Sequence, residues 1–259
     1  MADVRDKMAL AQAAKQIKER GLTDVIFSHA GGMEGFIPKL IKDYLTPIRE
    51  KTRGKSMYDL DEEVQDAIRG IMGPMYRQIQ VWRDEAISQG VAVNYTGTFN
   101  TIDVLGDEFK EGFTGVFINS TWGHLSGTPG VEIPLLYGPV DISKGMVRDR
   151  LRDKGKELAF WHSIPMTELV ASLVRRTRVG KMFQDYLMPI SEPEQATAIK
   201  DTAVDPEDVF EGIRMIMERD PNTWPQYPFE LFVTGENGKA VFADHLDVSA
   251  AMYTTPYPY

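Results

Sequence analysis

Residues 115–138, GVFINSTWGHLSGTPGVEIPLLYG, decide how this chain is read. Two apolar, strand-like runs, 116–119 and 131–137, bracket a loop that carries Asn119, Ser120, Thr121, Trp122, His124, Ser126 and Thr128. A polar, aromatic loop held between buried strands is where a rigid scaffold can present binding groups. Pro134 has no N–H to give to a ladder, so the second run is expected at a sheet edge or a bulge.

Working outward, the segments before this stretch are mostly helical. Over residues 3–20, Val4, Met8, Ala11, Ala14 and Ile17 recur every three or four positions, which lines one helix face. Gly21 stops that helix, and 25–27 (VIF) forms a short buried strand leading into the turn Ser28-His29-Ala30-Gly31-Gly32. Helical spacing returns over 33–51, kinked or ended by Pro47, and again over 60–72 and 75–90, with a break expected at Gly73-Pro74. The alternation of VAVNYT predicts a strand over 91–96, and 101–105 is a second candidate.

Beyond the stretch, 142–154 reads as a charged helix and 158–161 as a strand ending at His162. Residues 167–187 read as the best helix of the second half. Asp205 followed by Pro206 announces a helix over 206–219. The runs 229–234 and 240–243, joined through Gly235-Glu236-Asn237-Gly238, predict a hairpin. Strands interleaved with helices, without strict alternation, predict an α/β fold: a mixed sheet layered with helices, in a single domain over 1–259. The tail, about 246–259, ends in AMYTTPYPY, without a charged side chain. It is expected to dock on its own domain or on a neighbouring subunit, which makes a homo-oligomer the expected assembly.

Composition narrows the chemistry. The 259 residues carry 29 basic and 38 acidic side chains, a net charge of -9, so neither nucleic acid nor anionic lipid is an expected partner. The chain has no cysteine, which removes disulfides and thiolate chemistry, and any metal must be held by His, Asp or Glu. The N-terminal region has no apolar block of the secretory kind, and no run approaches the ~20 apolar residues of a membrane span, so a cytoplasmic location is expected.

Four histidines follow strand-like runs: His29 after VIFS, His124 after VFINST, His162 after LAFW and His245 after VFAD. Loops at strand ends commonly form the ligand crevice of α/β folds. An imidazole both accepts and donates protons near neutrality, which makes these side chains candidates for acid-base work. His124 is the first candidate catalytic residue, with His29 and His162 as partners or metal ligands. Asn119, Ser120, Trp122 and Thr128 are the candidate substrate contacts. A divalent metal, if present, would combine histidine with Glu132, Asp141, Asp244 or Asp247, although the sequence holds neither HEXXH nor a His-x-His pair.

The dinucleotide pattern GXGXXG and the phosphate-loop pattern GXXXXGK[ST] do not occur. The expected activity is therefore non-redox: a hydrolase, lyase or isomerase acting on a small polar or aromatic molecule by histidine acid-base chemistry, with metal assistance as an option. The alternative is a noncatalytic structural or regulatory subunit of an oligomeric assembly. The opening LAQAAKQIKERGLTDVIFSHAGG loosely resembles the start of class II aldolase-like proteins. That resemblance spans barely a tenth of the chain and lacks a counterpart of that family's paired metal-binding histidines, so it is not adopted.

Overall fold

The computed structural model describes residues 2–21, 25–27, 35–108, 115–125, 137–162, 166–219, 229–236 and 239–243. Its centre is a five-stranded sheet in the order β1-β2-β3-β4-β5, made of Val25–Phe27, Gly115–Ser120, Met166–Ala171, Phe229–Glu236 and Lys239–Ala243. The first four strands are parallel and the last pairs antiparallel with β4, so the sheet is mixed as expected. The hairpin of β4 and β5 stands where the sequence placed it.

Register partners share a face of the sheet, and this assigns the two helical layers. Val116 of β2, Leu169 and Ala171 of β3, and Leu231 and Val233 of β4 pack with Ile213 and Ile216 of one helix. That helix is α10, Pro206–Glu218. On the other face Phe117 of β2 packs with Ile102 and Leu105, Val147 and Leu151, and Ala14. These come from α5 (Gly97–Glu108), α7 (Gly138–His162) and α1 (Lys7–Glu19). Central parallel strands covered on both faces are expected to be apolar throughout, which makes the polar residues they carry informative.

A second, purely helical cluster flanks the sheet. It joins α2 (Ile37–Leu40), which runs through a π-helical stretch into α3 (Thr46–Thr52), with α4 (Glu62–Gly90). The short helix α6 (Thr121–Leu125) follows β2 directly. Later in the chain come α8 (Arg178–Met182) and α9 (Pro193–Thr202). Leu40, Ile48, Met72, Met75 and Ile199 from these elements, with Phe183 of the π-helical stretch Phe183–Leu187 that follows α8, meet Trp122 of α6 in one core.

Several expectations are corrected here. Residues 62–90 form one helix with Pro74 inside it, because Met72 and Met75 on either side of the proline anchor both halves in the same core. Val91–Thr96 is a π-helical continuation of α4, not a strand, and 101–105 lies within α5. Residues 158–161 belong to α7. The start of the predicted helix 167–187 is β3: the run TELVASLV is buried on both faces, where helical spacing of apolar residues carries no information. Residues 131–136, with Pro134, and the tail 246–259 with its docking role lie outside the described residues.

Candidate active site at the carboxyl end of β2

The site grows from the handover between β2 and α6. Asn119 is buried at the end of β2, and its side chain works in both directions: the amide nitrogen donates to Glu168 Oε1 at 2.6 Å, and the carbonyl oxygen accepts from the Ser120 backbone N–H at 2.8 Å. The Ser120 hydroxyl then accepts from the Gly123 N–H at 3.1 Å, turning the chain into α6. A Cβ at Gly123 would fall 2.3 Å from Asn119 Oδ1 and 3.0 Å from Lys144 Cβ, so only glycine lets α6 settle against α7 here.

Across this turn lies the start of α7. The Tyr137 carbonyl accepts from the Asp141 N–H at 3.0 Å, so Tyr137 stands at the head of the helix. Spacings of four and three residues then put Tyr137, Asp141 and Lys144 on one helix face. The Lys144 ammonium donates to the Ile118 carbonyl of β2 at 2.7 Å and lies 5.6 Å from the centre of the Phe117 ring. Burial draws its pKa down to about 8, while the carboxylates of Glu168 and Asp141 pull it back up. Burial pushes the Tyr137 phenol up to about 12; the neighbouring Ser120 hydroxyl works against that rise, and the Asp141 charge adds to it.

The head of α7 is also fixed from behind. Asn94, buried in the π-helical stretch after α4, donates to Ser143 Oγ at 2.8 Å, and Ser143 donates on to the Val140 carbonyl at 2.8 Å. Trp122 stacks on Phe183 at 5.3 Å and meets Tyr137 at 5.1 Å, holding the phenol ring against the helical core.

Among the expected site residues, His124, Asn119 and Ser120 converge. His124 is in α6, its Nδ1 3.8 Å from Glu168 Oε1 without a hydrogen bond and its ring edge-on to Phe232 at 4.8 Å. Trp122 is a buried core residue. His162 ends α7 rather than a strand, while His29, Thr128 and His245 lie outside the described residues. Tyr137, Lys144, Glu168 and Glu230 escaped the sequence reading as site residues. The signal for the first two was their seven-residue spacing, two helical turns, directly after the loop under scrutiny. Ligand atoms of His124, Glu168 and Glu230 lie within 4.8 Å of one another, the one group among the described residues with the proximity to grip a cation.

No family model matches the sequence, and no curated protein matches it. Solved structures do. A 7α-hydroxysteroid dehydrogenase complexed with NADH and 7-oxo glycochenodeoxycholic acid is 13% identical, with a TM-score of 0.55 over 92% of this chain and 72% of that one. The fold is Rossmann-like. An NAD+-bound xylitol dehydrogenase (9% identical, TM-score 0.53, 90% of this chain and 76% of that one) is also similar. So is an actinorhodin polyketide ketoreductase with NADPH (17% identical, TM-score 0.53, 90% and 75%).

These likenesses run against the expected chemistry: the similar structures are two dehydrogenases and a ketoreductase with NADH, NAD+ or NADPH, and not hydrolases, lyases or isomerases, so the non-redox expectation and its divalent metal are not carried forward. No helix of the described residues is long and apolar enough to cross a membrane.

Proposed function

We propose that this protein is a nicotinamide-dependent oxidoreductase that interconverts a carbonyl and an alcohol on a small molecule. The observation that carries the reading is the Tyr137 phenol, beside the Ser120 hydroxyl and set two helical turns ahead of the buried Lys144, at the carboxyl end of a parallel strand. In open α/β sheets that end is where ligands bind. The nucleotide, when bound, supplies or accepts the hydride. Tyr137 gives a proton to the oxygen that becomes an alcohol, or takes it back in the reverse direction. Ser120 orients that oxygen, and Lys144, a cation at neutral pH, favours the phenolate left behind and holds sugar hydroxyls of the nucleotide. His124 and Asn119 shape the floor of the site without touching the reacting atoms. A cytoplasmic location forms part of this proposal, and the acidic composition is compatible with it.

The test begins with binding. Titration with NADH and NADPH, followed by nucleotide fluorescence, is expected to saturate, and a panel of ketones and secondary alcohols is expected to give turnover at 340 nm. Tyr137→Phe is expected to lose about 10²–10⁴-fold in turnover while nucleotide binding persists, the usual range for a general acid. A Tyr137→Phe protein with undiminished turnover would remove the phenol from the mechanism; no binding of either nucleotide would remove the cofactor.

A further inference from the structure

The least expected residue in the sheet is Glu168. It occupies the middle of β3, a central parallel strand, with its side chain 1% exposed. An ionised carboxylate in such a place is costly unless opposite charge and hydrogen-bond donors answer it. Its register partner on β4 is Glu230, a second carboxylate, and like charges directly opposite repel. On the other side its register partner is Phe117, whose ring lies beside the Lys144 ammonium. A buried acid that served the fold alone would be replaced with profit by an apolar residue.

What Glu168 touches belongs to the site. Its Oε1 accepts from Asn119, whose other end holds the Ser120 N–H, and the Ser120 hydroxyl lies beside the Tyr137 phenol. His124 Nδ1 is 3.8 Å away. We propose that Glu168 is a positioning residue of this site: its carboxylate fixes the Asn119 amide, and through it Ser120, and stands as a counter-charge to Lys144, whose ammonium lies over Phe117, the cross-strand partner of Glu168. The proposal rests on the oxidoreductase reading for its purpose, because a phenol donor needs both a fixed serine hydroxyl and a nearby cation. The carboxylates that act on Lys144 are Asp141 on its own helix and Glu168 on β3; Glu168 is in turn faced by Glu230 on β4 and by His124 of α6. Glu168 and Asp141 are the carboxylates that raise its proton affinity.

The experiment follows Lys144 directly, without turnover. Lysine labelled with 13C at Cε is titrated by NMR in the folded protein, the Lys144 resonance being assigned by its loss in Lys144→Met. Glu168→Gln keeps an oxygen for Asn119 and removes the charge. The Lys144 midpoint is expected to fall by about one pH unit, in line with the loss of one nearby opposite charge, while the Asn119 side-chain amide resonances stay near their wild-type positions. An unchanged midpoint in folded Glu168→Gln overturns the counter-charge role. If that variant does not fold, Glu168→Asp serves: it keeps the charge on a shorter arm, so the midpoint should hold while the Asn119 amide resonances move. A midpoint that falls in Glu168→Asp, or Asn119 resonances that do not move, overturns the proposal. Nucleotide titration of the same samples separates the two readings, since wild type that binds no nucleotide sinks the oxidoreductase assignment and leaves the Lys144 titration fully interpretable.

Discussion

Lys144 makes the clearest residue-scale prediction. Its proton affinity in the folded state is lowered to about 8, below the ordinary 10.5, because burial disfavours the charge. Between those two pH values the unfolded chain binds the proton that the folded chain has released, so this residue's contribution to stability rises with pH across that window. Below about pH 8 both states are protonated and the full cost of burying the ammonium is present. Urea unfolding midpoints measured from pH 7 to 10.5 should therefore rise less in Lys144→Met than in wild type. Equal slopes in the two proteins would contradict the assignment. Tyr137 acts in the opposite sense: its pKa raised to about 12 from 10.0 means that its contribution is kept up to pH 10 and lost as pH climbs through about 12.

The same residues show how far sequence could go. His124, Asn119 and Ser120 were legible because a polar cluster directly after an apolar run marks a strand end. Glu168 was hidden because Leu169, Val170, Leu173 and Val174 gave the segment a helical spacing, and an acid on a helix looks solvent-exposed. Tyr137 was read as the end of an apolar strand, although it heads a helix through its carbonyl.

At the scale of elements, helix ends were read more reliably than buried interiors. Asp6 caps α1 by accepting from the N–H groups of Met8 and Ala9, and Gly21 after that helix has a φ of 70°. Asp205 and Asp208 form a reciprocal capping box at the head of α10, as the Asp-Pro signal promised. These signals are local, so one sequence suffices. The strand or helix state of VAVNYT and TELVASLV depends on what covers them, and local spacing does not record that.

The α10 layer offers an element-scale test. Gly212 faces the sheet, and a Cβ there would come within 2.9 Å of Val233 Cγ2 and 3.0 Å of Leu169 Cδ1. Gly212→Ala gains helix propensity of about 1 kcal/mol but overpacks the interface at a cost of about 1–3 kcal/mol. The net expectation is a lower denaturant midpoint. A stabilised Gly212→Ala protein would mean that α10 rides off the sheet freely.

For the whole molecule, the two helical layers meet the sheet through few large side chains. Phe117 is fully buried between β2 and the layer of α1, α5 and α7. Phe117→Ala is expected to cost about 3–5 kcal/mol and to loosen Lys144 as well, since the ring lies against its ammonium. Chemical denaturation gives the first quantity and the lysine NMR titration the second. A loss of stability that leaves the Lys144 midpoint in place would separate the core from the site.

The pairing of β1 with β2 joins Val25 to Gly115, so about 90 residues must be organised before this edge of the sheet can close. Contacts so distant along the chain are bought with loop entropy long before they repay it, and folding rates fall accordingly. During synthesis β1 leaves the ribosome long before its partner exists, and waits with its ladder groups unmatched. Refolding from urea should show a slow phase in which the helices regain their far-ultraviolet circular dichroism ahead of the near-ultraviolet signal of packed aromatic side chains, and chaperone-poor expression should favour inclusion bodies.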